Sequence, residues 1–292
     1  ELIDTLTGFS SKGPRSLDGL LKPEISAPGA NIISAAMGEG SKGVPMSGTS
    51  MAGPHVAGVM ALLKQARQDL TVAELKSILM GRPKPLGGEK KQNYLLSRQG
   101  AGRMQVEASV AAKLVADRTS LSLGETNIET PKLFREALSI RNISPDALAL
   151  KVELVAAAGL TLENSQDLNL APGETKSLSL RLRINAQKAQ EKAPELDGLL
   201  IFSANGQEVH RIPVLAVIKR ISQVKGQSLT VHAGSEASSA GAVTELTLAN
   251  RGSHVGWALP FNLLGFDERK PNPSLPGPAS RACDLQAVGY RL

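Results

Sequence analysis

Residues 46–58 read Met46-Ser47-Gly48-Thr49-Ser50-Met51-Ala52-Gly53-Pro54-His55-Val56-Ala57-Gly58, and their reading decides the rest. A small polar turn runs into an apolar stretch, Val56 to Leu63, with the character of a buried helix. Gly48 permits a tight turn, and Thr49 and Ser50 are favoured N-cap types. Pro54 is tolerated only in the first turn of a helix, which predicts a helix start close to Ser50. Ser50 then sits where unpaired N–H groups and the helix dipole favour developing negative charge. A hydroxyl presented there can attack a carbonyl, and the serine's own backbone N–H can hold the oxyanion. Gly43 to Ser50 also spells G-x-x-x-x-G-T-S, the outline of a phosphate loop. That reading fails on its charge, because Thr49 stands where the lysine is needed and no apolar strand leads into Gly43.

The stretch resembles the nucleophile motif of the subtilisin-like serine proteases, G-T-S-M-A-x-P-H-V-A-G, with every fixed letter present from Gly48 to Gly58. Two earlier segments resemble further signatures of that family. Phe9-Ser10-Ser11-Lys12-Gly13-Pro14 is similar to F-S-S-x-G-P. Lys22 to Ser34 is similar to K-P-x-I-x-A-P-G-x-x-I-x-S. The likeness runs from about Asp4 to Ala116. It implies the C-terminal portion of an α/β subtilisin-like catalytic domain, with Ser50 as the catalytic nucleophile of an endopeptidase and a polypeptide as substrate. It also implies a secreted or cell-surface location, and a Phe9 that lines the leaving-group side of the cleft. For Phe9 the alternative is plain core packing. Structural calcium is common in the family, but no cofactor site is identifiable in these residues.

The resemblance is incomplete in a specific way. Subtilisin-type sites run Asp, His, Ser along the chain, so base and orienter belong upstream of the serine. No histidine occurs in the 49 residues before Ser50. Asp4-Thr5-Leu6 departs from the D-[ST]-G pattern of the family aspartate. His55-Val56-Ala57-Gly58 mimics part of the family's histidine motif but belongs here to the serine motif. Five residues on from Ser50, His55 lies about 140° round the helix, so it reads as structural. Asn31 follows the A-P-G turn and is not the oxyanion asparagine. The missing groups are expected from an upstream part of the same catalytic domain, and a chain that opens on Glu1 reads as a piece of a longer polypeptide. The rival reading is a catalytically inactive fragment, or a binding and attachment module.

Composition narrows the partners. With 33 Lys and Arg against 27 Asp and Glu the net charge is +6, and the basic residues are scattered without aromatic company, which argues against nucleic acid. One cysteine, Cys283, excludes an internal disulfide. The four histidines lack metal-ligand spacing, so no metal site is expected. No apolar run is long enough to span a bilayer.

Thr71-Val72-Ala73-Glu74 is a capping box opening a helix through about Leu79. Residues 81–92 read as loop. A Gly100-Ala101-Gly102-Arg103 turn leads to an expected helix over Val106 to Val115, with a boundary near Ala116-Asp117. Beyond it the apolar period becomes two, faultlessly so over Ser177 to Ile184. Further strands are expected at Glu136–Ile140, Ala149–Val155, Leu199–Phe202 and Val209–Val217, with Asn205-Gly206 as a tight hairpin turn. Such spacing indicates an all-β sandwich, similar in pattern to the fibronectin-like domains of large subtilases. The expected organisation is 1–117 catalytic, 118–221 sandwich, and 222–292 a partial or second β-domain, in which Pro-rich Lys270 to Ala279 is loop.

Overall fold

The computed structural model describes residues 3–87, 94–127, 130–185, 188 and 195–219, together with strands at 224–232, 243–250, 262–266 and 287–290. Strands β1 (Ile32–Ala35) and β2 (Gly43–Met46) form a two-stranded antiparallel hairpin that delivers the chain to the helix α1 (Thr49–Ala66). Pro54 is the sixth residue of α1, so it lies in the second turn and not the first. Its missing N–H leaves the Ser50 carbonyl without the usual donor one turn on. Val59 and Leu63 are buried, but Ala57, Gly58, Ala61 and Leu62 face outward, and Leu62 is 53% exposed. The stretch expected to be wholly buried therefore covers one stripe only.

Helix α2 (Val72–Gly81) starts at the expected capping box. Glu74 N–H donates to Thr71 Oγ1 at 3.3 Å, and Thr71 N–H donates to Glu74 Oε2 at 2.9 Å. Its Leu75, Ile78 and Leu79 pack with Val59 and Leu63 in one apolar cluster. Two short helices follow, α3 (Leu96–Gln99) and α4 (Val106–Val110).

The helix expected through Val115 stops at Val110, and Leu114–Ala116 is a strand, β3. Its alternation explains why. Leu114 and Ala116 enter the core of the sheets while Val115 enters the helical cluster, so successive residues alternate between two cores, as they do in an extended segment. The remaining strands of the first compact unit are β4 (Leu121–Asn127), β5 (Lys132–Asn142), β6 (Leu148–Ala156), β7 (Leu160–Leu162), β8 (Gln166–Leu170), β9 (Thr175–Ile184), β10 (Glu195–Ala204) and β11 (Gln207–Lys219). They make a four-stranded sheet, β3-β5-β9-β7, and a five-stranded sheet, β4-β11-β10-β6-β8. The β11–β4 pair alone is parallel. Leu178, Leu180, Leu182 and Ile184 of β9 meet Leu200, Phe202, Ile212 and Val214 of the other sheet in a single core. Asn205 (φ 51°) and Gly206 (φ 74°) close the β10–β11 hairpin, both left-handed as a type I′ turn requires.

Helices and sheets meet along a polar and apolar seam. Ala116 N–H donates to Ser77 Oγ at 2.8 Å, Leu21 N–H to Ser122 Oγ at 2.9 Å, and Leu96 N–H to Asp197 Oδ2 at 2.9 Å. Glu74 of α2 pairs with Arg141 of β5. Leu21 and Leu96 cover Leu215, which is fully buried. His210 of β11 packs against Gly81, where a Cβ would stand 2.0 Å from its ring.

A second unit, Ile221–Leu292, contains two antiparallel pairs: β12 (Val224–His232) with β13 (Val243–Asn250), and β14 (Asn262–Phe266) with β15 (Ala287–Tyr290). The expected loop at Lys270 to Ala279, and Cys283, lie outside the described residues.

Candidate nucleophile site

Ser50 is the second residue of α1 and is exposed. The N-cap, Gly48, is extended (φ 161°) and supplies no side-chain cap; its carbonyl accepts from Met51 N–H at 3.0 Å. The turn before the serine is sewn to the A-P-G turn. Gly48 N–H donates to Gly29 O at 2.8 Å, and Asn31 N–H donates to Ser47 Oγ at 2.8 Å. A Cβ on Gly29 would stand 2.8 Å from Gly48 O, so this close approach requires glycine at 29. The two motifs that looked separate in the sequence are one local structure. Met51 folds its sulfur back beside Gly48, since a Cβ there would lie 3.5 Å from Sδ.

His55 is turned away from this chemistry. Its Nδ1 lies 2.8 Å from Met51 O, a contact within its own helix in which the ring N–H donates. Among the described residues Ser50 Oγ makes no hydrogen bond. His210, the other histidine with a described side chain, is buried at the seam. Its Nδ1 has no partner, and burial, with the nearby Arg82 charge, pushes its pKa down to about 3. Phe202 packs edge-on to it at 6.1 Å.

Beside the start of α1 runs a cavity of about 590 Å³, lined by Phe9, Ile25, Asn31, Thr49, Ala52 and Val56 among others. Phe9 is 49% exposed and lines this hollow instead of filling a core. Asp4 also reaches it. With its side chain 11% exposed, Asp4 pairs with Lys84 Nζ at 2.8 Å and meets Arg103 Nη1 at 2.9 Å, the latter a charge contact without hydrogen-bond alignment. Asp4 therefore bridges the first segment to the Lys84–Arg103 strand contact. Its partners lie so far along the chain that nothing local in the sequence points to this role. No cluster of three or more His, Cys, Asp or Glu able to hold a metal occurs among the described residues. Nor is any of their helices long and apolar enough to cross a membrane.

Ser50 is thus a hydroxyl exposed at a helix N-terminus whose turn is braced by a second glycine turn. Residues 3–102, about a third of the chain, match the subtilase family model. Among curated relatives, the minor extracellular protease Vpr of Bacillus subtilis is 29% identical over 247 residues, covering 80% of this chain and 30% of that protein. Bacillopeptidase F of the same organism is 40% identical over 124 residues, 42% of this chain and 8% of its own length. Its serine protease AprX is 40% identical over 119 residues, covering 37% and 26%. The chain thus spans less than a third of each of these relatives.

Proposed function

We propose that Ser50 is the acyl-forming nucleophile of a secreted or cell-surface serine endopeptidase acting on polypeptides. Its base, orienting aspartate and side-chain oxyanion donor would come from an upstream part of the same catalytic domain. The supporting observation is the placement of Ser50 at a helix N-terminus without a side-chain cap, within an unbroken subtilase motif. In this reading residues 1–117 are the C-terminal part of an α/β subtilisin-like catalytic domain. Residues 118–221 form a fibronectin-like β-sandwich, as the two sheets closed on one core suggest, and 222–292 are a partial or second β-domain. One observation favours the rival reading, an inactive fragment or attachment module: Ser50 has no hydrogen-bonded base among the described residues. A fluorophosphonate probe on a longer polypeptide carrying the upstream segment separates the two. Label on Ser50 that disappears in Ser50→Ala supports the peptidase. No label on Ser50 in an otherwise folded polypeptide sinks it.

A further inference from the structure

The outward face of the four-stranded sheet carries positive charge that the described chain leaves unbalanced. On β5 and β9 the even-numbered Leu138, Ile140, Leu178, Leu180 and Leu182 take the core side, so the odd-numbered residues between them point outward. The register sets Arg135 directly opposite Arg181, and Arg183 shares their face two residues along β9. Like charges in directly opposed positions destabilise a sheet. Among the described residues a single carboxylate serves this trio: Glu163 pairs with Arg181 at 3.0 Å and also with Arg183. The Arg183 hydrogen bond holds that carboxyl below its ordinary range.

Arg135 has no anionic partner among the described residues. Asp117, beside β5, accepts instead from the Ser139 backbone N–H. Six residues along the same strand, Arg141 shows the contrast, because there the chain supplies Glu74. Between the two arginines the outward positions are small: Ala137 and Ser139 on β5, Ser177 and Ser179 on β9. No outward position of β5 or β9 carries an aromatic ring to stack a base. The β-carbons of Arg135 and Arg181 lie about 5 Å apart across the ladder, and those of Arg181 and Arg183 about 7 Å apart along it. Guanidinium forks match phosphate oxygens in two-point contacts.

We propose that Arg135, Arg181 and Arg183 form a docking surface for a linear phosphate polymer. The probe is long-chain inorganic polyphosphate, titrated calorimetrically into the whole chain at several salt concentrations. Binding should be saturable and weaken with salt at a log–log slope of about 2, roughly 0.7 per phosphate contacted. Arg135→Glu turns the like-charged pair into an attractive one, so Tm without polymer should hold or rise while affinity falls by about tenfold or more. Arg141→Ala should lower Tm and leave polyphosphate affinity unchanged. Absence of saturable binding, or an Arg135→Glu chain that binds as well as the parent, overturns the proposal. So does poly-glutamate binding as tightly as polyphosphate, which would make the surface a general acidic-polypeptide site.

Discussion

On α1, Leu62 keeps 53% of its surface in water; on β9, Leu182 keeps none. Leu62 belongs to a continuous apolar run and Leu182 to an alternating one, and the two differ also in what each is given to pack against. The strands of the two sheets close on each other and satisfy their apolar period within the unit. Helix α1 has α2 and α4 on one side, and its Ala57, Gly58, Ala61 and Leu62 face has no such cover. A helix apolar on more than one stripe is built for more neighbours than these. The bare face therefore fits the proposed upstream partner, whereas the apolar faces of the sheets already close on each other.

The largest test of that contrast is catalytic. If the base belongs to another segment, chain 1–292 should hydrolyse casein about a million-fold more slowly than a complete site, the scale seen when a subtilisin nucleophile or base is removed. Ordinary protease rates from the pure chain, abolished by Ser50→Ala, would show that His55 can act as base after all. Next in size is Phe202→Ala. Phe202 is fully buried between the sheets, so denaturant unfolding should show a loss of about 3–5 kcal/mol.

Gly81→Ala should cost about 1–3 kcal/mol, because the new methyl is driven into the His210 ring. A neutral outcome would mean that the seam yields where the packing says it cannot. His210 itself makes the seam acid-sensitive. Below its ordinary pKa of 6.5 the unfolded chain binds a proton that the native ring refuses until about pH 3. Native stability should therefore fall as pH falls through that window, by about 1.4 kcal/mol per unit, and the slope should flatten below it. Glu195 works with the opposite sign, since burial raises its carboxyl and the native form takes up that proton first. Thermal melts of the parent and His210→Leu, compared from pH 6 to 4, isolate the histidine; equal slopes would refute its contribution. Smallest of all is Leu62→Ser, expected to change the stability of 1–292 by less than about 0.5 kcal/mol. A large loss there would mean the face is already covered.

Much of this was legible in the residues. The capping box, the five long strands and the Asn205-Gly206 turn depend on local chemistry, and each formed where its residues predicted. Leu114–Ala116 was not legible as a strand, because its extended form depends on pairing with β5, whose partner residues begin at Ile140. Pro54 pointed to a helix start close to Ser50, and the helix begins one residue earlier, at Thr49, with the proline in its second turn. The place of Ser50 at the start of a helix was readable from its motif. The brace between Gly29 and Gly48 was not, because a close approach between two turns leaves no period. Asp4 was read for the pattern it fails to match, while its pairing with Lys84 and Arg103 was settled by tertiary contact.

β3 has a consequence for how the molecule comes apart. Three residues supply both cores, with Val115 on one side and Leu114 and Ala116 on the other, and a peptide cut anywhere between them removes a wall from each. Helical cluster and sheets thus have no dispensable joint at this point. Heat or pulling force that frees one must strip the shared strand from the other, so residues 3–219 should melt as one transition, and a fusion or truncation site is better sought beyond Lys219 than at residue 117.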